Sequence, residues 1–169
     1  DDIMKQIVIV KNRYVKYAEF GQVTLTELLK TDLKSNDFLK ANELKSSYLE
    51  NLGNGNFNLK PLPKSAQTAP IQSILIDDFN NDNHADILLS GNDYNAERNN
   101  GRYDAFNGLL LTGNGKRDFE TISTAESGFY VPFDGRDILK WNDRIVVGQN
   151  DGEMLMFQIN EQRNNNELN

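Results

Sequence analysis

The most specific chemistry in the chain lies in nine residues between two apolar runs: Asp78-Phe79-Asn80-Asn81-Asp82-Asn83-His84-Ala85-Asp86. Side-chain oxygens fall at the first, third, fifth and ninth places, a spacing that lets a tightly turning loop aim every second residue at a hard cation. Asp78, Asn80, Asp82 and Asp86 are the candidate side-chain ligands. His84, at the seventh place, would offer its backbone carbonyl with its imidazole pointing away. An EF-hand opens with the same oxygen spacing but needs a bidentate Glu at its twelfth position, which here is Leu89, so that motif is excluded. The sixth place, usually Gly in such loops, is Asn83, the residue next best able to take left-handed backbone angles. Three carboxylates in so short a bend repel one another unless a cation lies between them, which argues for Ca²⁺. With few formal charges its affinity should be modest, in the range of about 10⁻⁴ to 10⁻³ M typical of extracellular modules. The competing reading is a metal-free loop in which Asp and Asn side chains cap their own turns.

A second group sits in the long polar segment from Gly91 to Gly108: Asp93, Tyr94, Glu97, Arg102, Tyr103 and Asp104. Loops of this length inside compact domains often carry function, here recognition of a protein or glycan ligand. Glu97 and Asp104 would suit the paired carboxylates of a glycoside hydrolase, but sequence spacing does not establish their separation, and the chain is read as non-enzymatic. The plainer alternative is a solvated loop with Arg102 tied to a nearby carboxylate. His84 is the chain's one histidine, so a His-based catalytic centre has little to build on. Phe129, Tyr130, Phe133 and Trp141 would make a stacking platform for sugars, or, more simply, core. Arg136-Asp137 and Asn142-Asp143-Arg144 read as turn residues with surface ion pairs.

Composition narrows the classes. A chain of 169 residues with 38% apolar and 25% charged residues is that of a globular domain able to bury a core. The formal net charge of −7 disfavours nucleic acid, whose phosphates attract clustered Lys and Arg. Cysteine is absent, which rules out disulfides and thiolate metal sites. No apolar run approaches the length of a membrane helix. The start at Asp1-Asp2-Ile3, without Met or a signal segment, is read as that of a piece of something longer.

These residues must be held by elements of two kinds. Ile3, Ile7, Val10, Tyr14 and Ala18 recur at helical spacing, predicting a helix over 2–19. Thr24 and Glu27 have the capping-box spacing, predicting a second helix over 25–31. The segment 1–40 is thus expected to be a helical insertion packed on sheets. From about residue 41 to 159 short β-rich runs alternate with turn residues, near 44–50, 57–60, 71–76, 86–90, 107–112, 119–122, 136–141, 144–148 and 153–159. The tail 160–169 is polar and aperiodic and is expected to be disordered. Two motifs repeat at nearly one interval. Gly53-Asn54-Gly55 returns as Gly113-Asn114-Gly115 after 60 residues, and the stretch from Ile87 to Asp93 returns from Ile145 to Asp151 after 58. Gly-Asn-Gly alone is a common hairpin turn. Together the two motifs mark a unit of about four antiparallel strands, the size of a propeller blade.

The pattern Asp-x-Asn-x-Asp-x-x-x-Asp between apolar strands resembles the calcium loop of FG-GAP repeats in integrin α-chain propellers and of bacterial VCBS repeats. The turn from Asn51 to Phe57 is similar to theirs. Tyr48 to Gly55, Leu59 to Pro63, Gly101 to Asp104 and Glu126 to Pro132 resemble the C-terminal part of exported propeller proteins related to cartilage acidic protein and the ASPIC/UnbV group. The resemblance covers about residues 14 to 158. It implies a mainly β chain of antiparallel, four-stranded propeller-type blades, about two and a half of them, with an N-terminal helical segment. It further implies an extracytoplasmic scaffold with structural Ca²⁺, completed by the remaining blades of a longer chain, with no established activity. Two departures stand out. The second repeat turns through Asn142-Asp143 with no room for ligands, and closed propellers need at least four blades.

Overall fold

The computed structural model describes residues 6–30, 39–96 and 101–159. The chain forms two compact units, Asp1–Leu44 and Lys45–Asn169.

In the first unit the expected long helix is two short ones, α1 (Val8–Arg13) and α2 (Tyr17–Phe20), separated where Tyr14 takes extended angles. Val8 and Ile9 are two-thirds exposed, so packing does little to offset the low helix propensity of this β-branched run. The second helix, α3 (Leu25–Leu29), forms with the capping box intact. Thr24 N–H donates to Glu27 Oε2 at 2.9 Å, and Glu27 N–H donates to Thr24 Oγ1 at 3.4 Å.

The second unit is mainly β. Among the described residues its nine strands are β1 (Ser47–Gly53), β2 (Asn56–Pro61), β3 (Ile71–Asp77), β4 (Asp86–Gly91), β5 (Leu109–Gly113), β6 (Phe119–Ile122), β7 (Asp134–Trp141), β8 (Arg144–Asn150) and β9 (Leu155–Gln158). Each overlaps one of the runs read from sequence, because Gly, Asn and Pro break the chain at its turns, though β1 starts and ends three residues later than its run at 44–50. The strands form antiparallel sheets of two (β1-β2), four (β3-β4-β5-β6) and three (β7-β8-β9), none of them closed. Among the described residues, then, one sheet has the four strands expected of a blade, where about two and a half blades were expected.

The middle sheet is covered on both faces, which is why β4 is buried throughout, with Ile87-Leu88-Leu89 apolar on both sides and Asp86 and Ser90 buried with them. Ile87, Leu89, Leu109 and Leu111 pack with Leu62 and Ala66 towards the β1-β2 side. Leu88 turns the other way and joins Phe129, Val131, Ile138, Ile145 and Val147 of the three-stranded side. Polar clamps tie the layers. Arg117 and Lys60 both pair with the buried Glu50, Lys140 pairs with Asp77, and Ile138 N–H donates to Ser73 Oγ at 2.9 Å.

The internal repeat is structural as well as sequential. The β3-β4 ladder breaks register between Ile71 and Ser73, opposite Gly91 and Ser90. The β7-β8 ladder breaks between Gly135 and Asp137, opposite Gln149 and Gly148. The second strands stand 58 residues apart (148 − 90), the interval read from sequence, while the first strands stand 64 apart (135 − 71). The difference of six is the loop between β3 and β4, eight residues long where the β7-β8 hairpin turns with two. β9 then lies on β8 as β5 lies on β4: Ile145, Val146 and Val147 face Phe157, Met156 and Leu155 as Ile87, Leu88 and Leu89 face Leu111, Leu110 and Leu109.

Candidate metal centre

The loop of residues 78–85 leaves the end of β3 and returns at the head of β4. Asn81 and Asn83 take left-handed φ of 60° and 65°, the conformation Asn tolerates best among residues with a side chain, so Asn83 does serve where Gly is usual. Asp78 caps the turn with both oxygens, accepting from Asp82 N–H at 3.1 Å and Asn83 N–H at 2.8 Å. Asn80 Oδ1 accepts from Asp82 N–H at 3.0 Å, and its amide donates to Asp82 Oδ2 at 3.0 Å. Asp82 Oδ1 accepts from His84 N–H at 2.8 Å. Asp86 is wholly buried, taking Phe79 N–H on one oxygen and Gly113 N–H on the other, each at 2.9 Å.

All six oxygens of the three carboxylates thus accept one N–H each. This revises the electrostatic premise, since backbone and amide dipoles stabilise the crowded charges even without an ion. A carboxylate oxygen has a second acceptor site, so the donor set keeps the hard-oxygen character that suits Ca²⁺. Among the described residues no three His, Cys, Asp or Glu side chains gather in a group that could hold a metal. Asp78, Asn80 and Asp82 are tied together at the bend, while Asp86 is drawn inward to the end of β5.

The His84 side chain has a packing role of its own. Its ring lies on Gly115, φ +68°, where a Cβ would stand 2.4 Å from the imidazole. The Ala85 carbonyl lies on Gly113, where a Cβ would meet it at 2.3 Å. The loop and the Gly113-Asn114-Gly115 turn are therefore interlocked, and the turn's glycines have a packing reason beyond their φ.

The second candidate group is divided. Glu97 lies outside the described residues, as does the tail 160–169. Asp93 and Tyr103 form a two-way backbone bridge, with N···O distances of 2.9 and 3.0 Å. Arg102 lies over the Tyr94 ring, 4.7 Å from its centroid, taking up that aromatic face. Asp104 is exposed. Of the four aromatics, only Phe129 is core; Tyr130, Phe133 and Trp141 are exposed. Arg136 is in β7 and not in a turn, and its partner is no surface group: it pairs at 2.5 Å with Asp134, which is completely buried, and at 3.5 Å with Asp93.

Sequence reasoning passed over the buried polar residues Asn92, Ser90 and Asp134. Asn92 fastens the 101–108 segment by accepting Phe106 N–H at 3.0 Å and donating to Phe106 O, while also donating to Phe133 O at 3.1 Å. Its sequence signal was the repeat itself, since Asn92 and Asn150 hold the same place in their units. Asp134 has no such signal, and its Oδ1, like Ser90 Oγ, is buried with no hydrogen-bond partner. No family model matches this chain, and no curated protein or solved structure matches it either.

Proposed function

We propose that this chain is a non-enzymatic binding and scaffold module built of FG-GAP/VCBS-type propeller blades, with structural Ca²⁺ held by the 78–86 loop. One observation carries the reading. The repeat makes the same strand connection with two residues at Asn142-Asp143, so the eight-residue loop is not needed to reverse the chain. Five of its eight residues, Asp78, Asn80, Asn81, Asp82 and Asn83, carry side-chain oxygens, and it is braced from behind by Gly113 and Gly115. Asp78, Asn80, Asp82 and Asp86, with the His84 carbonyl, would hold the ion and clamp the β3-β4 connection. A site of modest affinity fills where calcium is abundant, which supports a role outside the cytoplasm. Apolar outer faces on the β1-β2 and β7-β9 sheets suit stacking against the remaining blades of a longer chain.

The test is a thermal melt with Ca²⁺ and then with chelator, repeated on Asp82→Ala. Calcium is expected to raise the wild-type midpoint by binding the folded state preferentially, and the variant is expected to lose that response. A wild-type midpoint indifferent to calcium removes the ion from the reading and leaves an Asx-capped structural loop.

A further inference from the structure

Four Asn-Gly pairs stand in the chain, at Asn54-Gly55, Asn100-Gly101, Asn107-Gly108 and Asn114-Gly115, and Asn100 lies outside the described residues. Such a pair can modify itself, because Gly puts no side chain in the way of its own nitrogen. The Gly nitrogen attacks the Asn side-chain carbon Cγ. The new C–N bond closes a five-membered succinimide, the amide C–N bond breaks, and ammonia leaves carrying the proton from the Gly nitrogen. Water then adds to either ring carbonyl and opens the ring to Asp or to isoaspartate. The reaction needs an unengaged amide and a following peptide free to turn towards it, so local opening of the fold decides which pair reacts.

The three described pairs differ in those two respects. Asn114 is engaged: its Oδ1 accepts Lys116 N–H at 2.8 Å and Asp118 N–H at 3.4 Å. Gly115 is hemmed in by the His84 ring, which lies 2.4 Å from where a Cβ would stand. Gly108 is buried with the Phe129 ring 2.8 Å from its Cβ position, and the Asn107 carbonyl accepts Val131 N–H at 2.9 Å. Turning the 107–108 peptide would cost that bond and that packing. Asn54 and Gly55 have neither restraint. Both are exposed at the tip of the β1-β2 hairpin, and the Asn54 side chain makes no hydrogen bond among the described residues. A Cβ on Gly55 would meet nothing within 4 Å. The ladder is also broken beside the turn, where the register shifts between Asn51 and Gly53.

We propose that Asn54 is a site of self-modification, converting to Asp and isoaspartate while the fold protects Asn107 and Asn114. Either product adds a negative charge to the hairpin tip. Isoaspartate also carries the main chain through the former side chain. A turn of two residues then gains one backbone carbon and no longer fits the pairing of Gly53 with Asn56. The β1-β2 sheet, held to the middle sheet through Glu50 and Arg117, would loosen from its tip. This inference rests on how the turns are packed and is independent of calcium.

The test is incubation of the full chain at neutral pH followed by peptide mapping with mass spectrometry, run in buffer and again in concentrated urea. In buffer Asn54 should convert about tenfold or more faster than Asn114, which must first break two hydrogen bonds of its own. In urea, with the folded restraints gone, the two should convert at similar rates. Asn54→Gln should abolish the acidic species that appears first on ion exchange of the aged native chain. Asn107 or Asn114 keeping pace with Asn54 in buffer overturns the proposal, because the fold then protects neither. A preference for Asn54 that persists in urea overturns it too, since neighbouring sequence and not the turn would set it. So does an acidic species that survives Asn54→Gln, which would place the early modification elsewhere.

Discussion

The imidazole of His84 leaves no room for a side chain at Gly115, and Gly115 is left-handed besides. These are two separate penalties, and they can be separated. Gly115→Ala should lose about 1–2 kcal/mol from backbone strain alone, with a further loss from the clash. In the His84→Ala background only the strain remains, so a double-mutant cycle in urea should return a coupling of about 1 kcal/mol. A coupling near zero would mean that the ring moves aside freely and the loop is not braced by the turn. The residue types at 78–86 were legible in sequence as a ligand set. What they do to one another was not. Donors come from main-chain N–H groups whose direction depends on the left-handed Asn81 and Asn83, and one comes from Gly113, 27 residues along the chain.

At the scale of elements, the layers are tied by carboxylates whose titration makes the stack acid-sensitive. Burial works to raise the Glu50 carboxyl, yet hydrogen bonds and charge from Lys60 and Arg117 outweigh it and hold the group below its usual 4.5. The hydrogen bond from Lys140 holds Asp77 below its usual 3.8, against the opposing effect of burial. A carboxylate depressed in the folded state contributes stability above its unfolded pKa, and that contribution is lost as pH falls through the folded value. The melting midpoint should accordingly fall as pH drops below about 4.5 towards 3, and Asp77→Asn should flatten part of that decline. An unchanged acid slope in the variant would show that the β3-β7 tie does not contribute. The nine strands among the described residues were legible, to within about three residues at β1, because turn residues punctuate them. The helix over 2–19 was not correctly read, because periodicity marks a face without showing that anything covers it.

Across the whole β unit, the pattern of exposure is inverted at one end. Tyr48 and Glu50 of β1 face the middle sheet, while Leu49, Phe57 and Leu59 point out, each about half exposed or more, with Leu49 directly opposite Leu59. At the other end Leu139, Trp141 and Met156 are similarly exposed. Apolar patches of this kind mark contact surfaces. The chain should bind an apolar dye in its native state, and Leu49→Ser with Leu59→Ser should cut that fluorescence without altering the far-UV spectrum; equal fluorescence in the variant would place the dye elsewhere. Among the described residues no helix is long and apolar enough to cross a membrane.

By itself the amino-acid order determined the β class, the strand positions, the repeat interval and the oxygen-rich loop, since each depends on neighbours within a few residues or on self-similarity. Only the tertiary structure decided that the described sheets hold two, four and three strands, that Asp86 is turned inward to Gly113, and that Arg136 serves a buried Asp134. Those features arise from pairings between distant segments. Which carboxylate meets which N–H is set by how layers stack and not by local propensity.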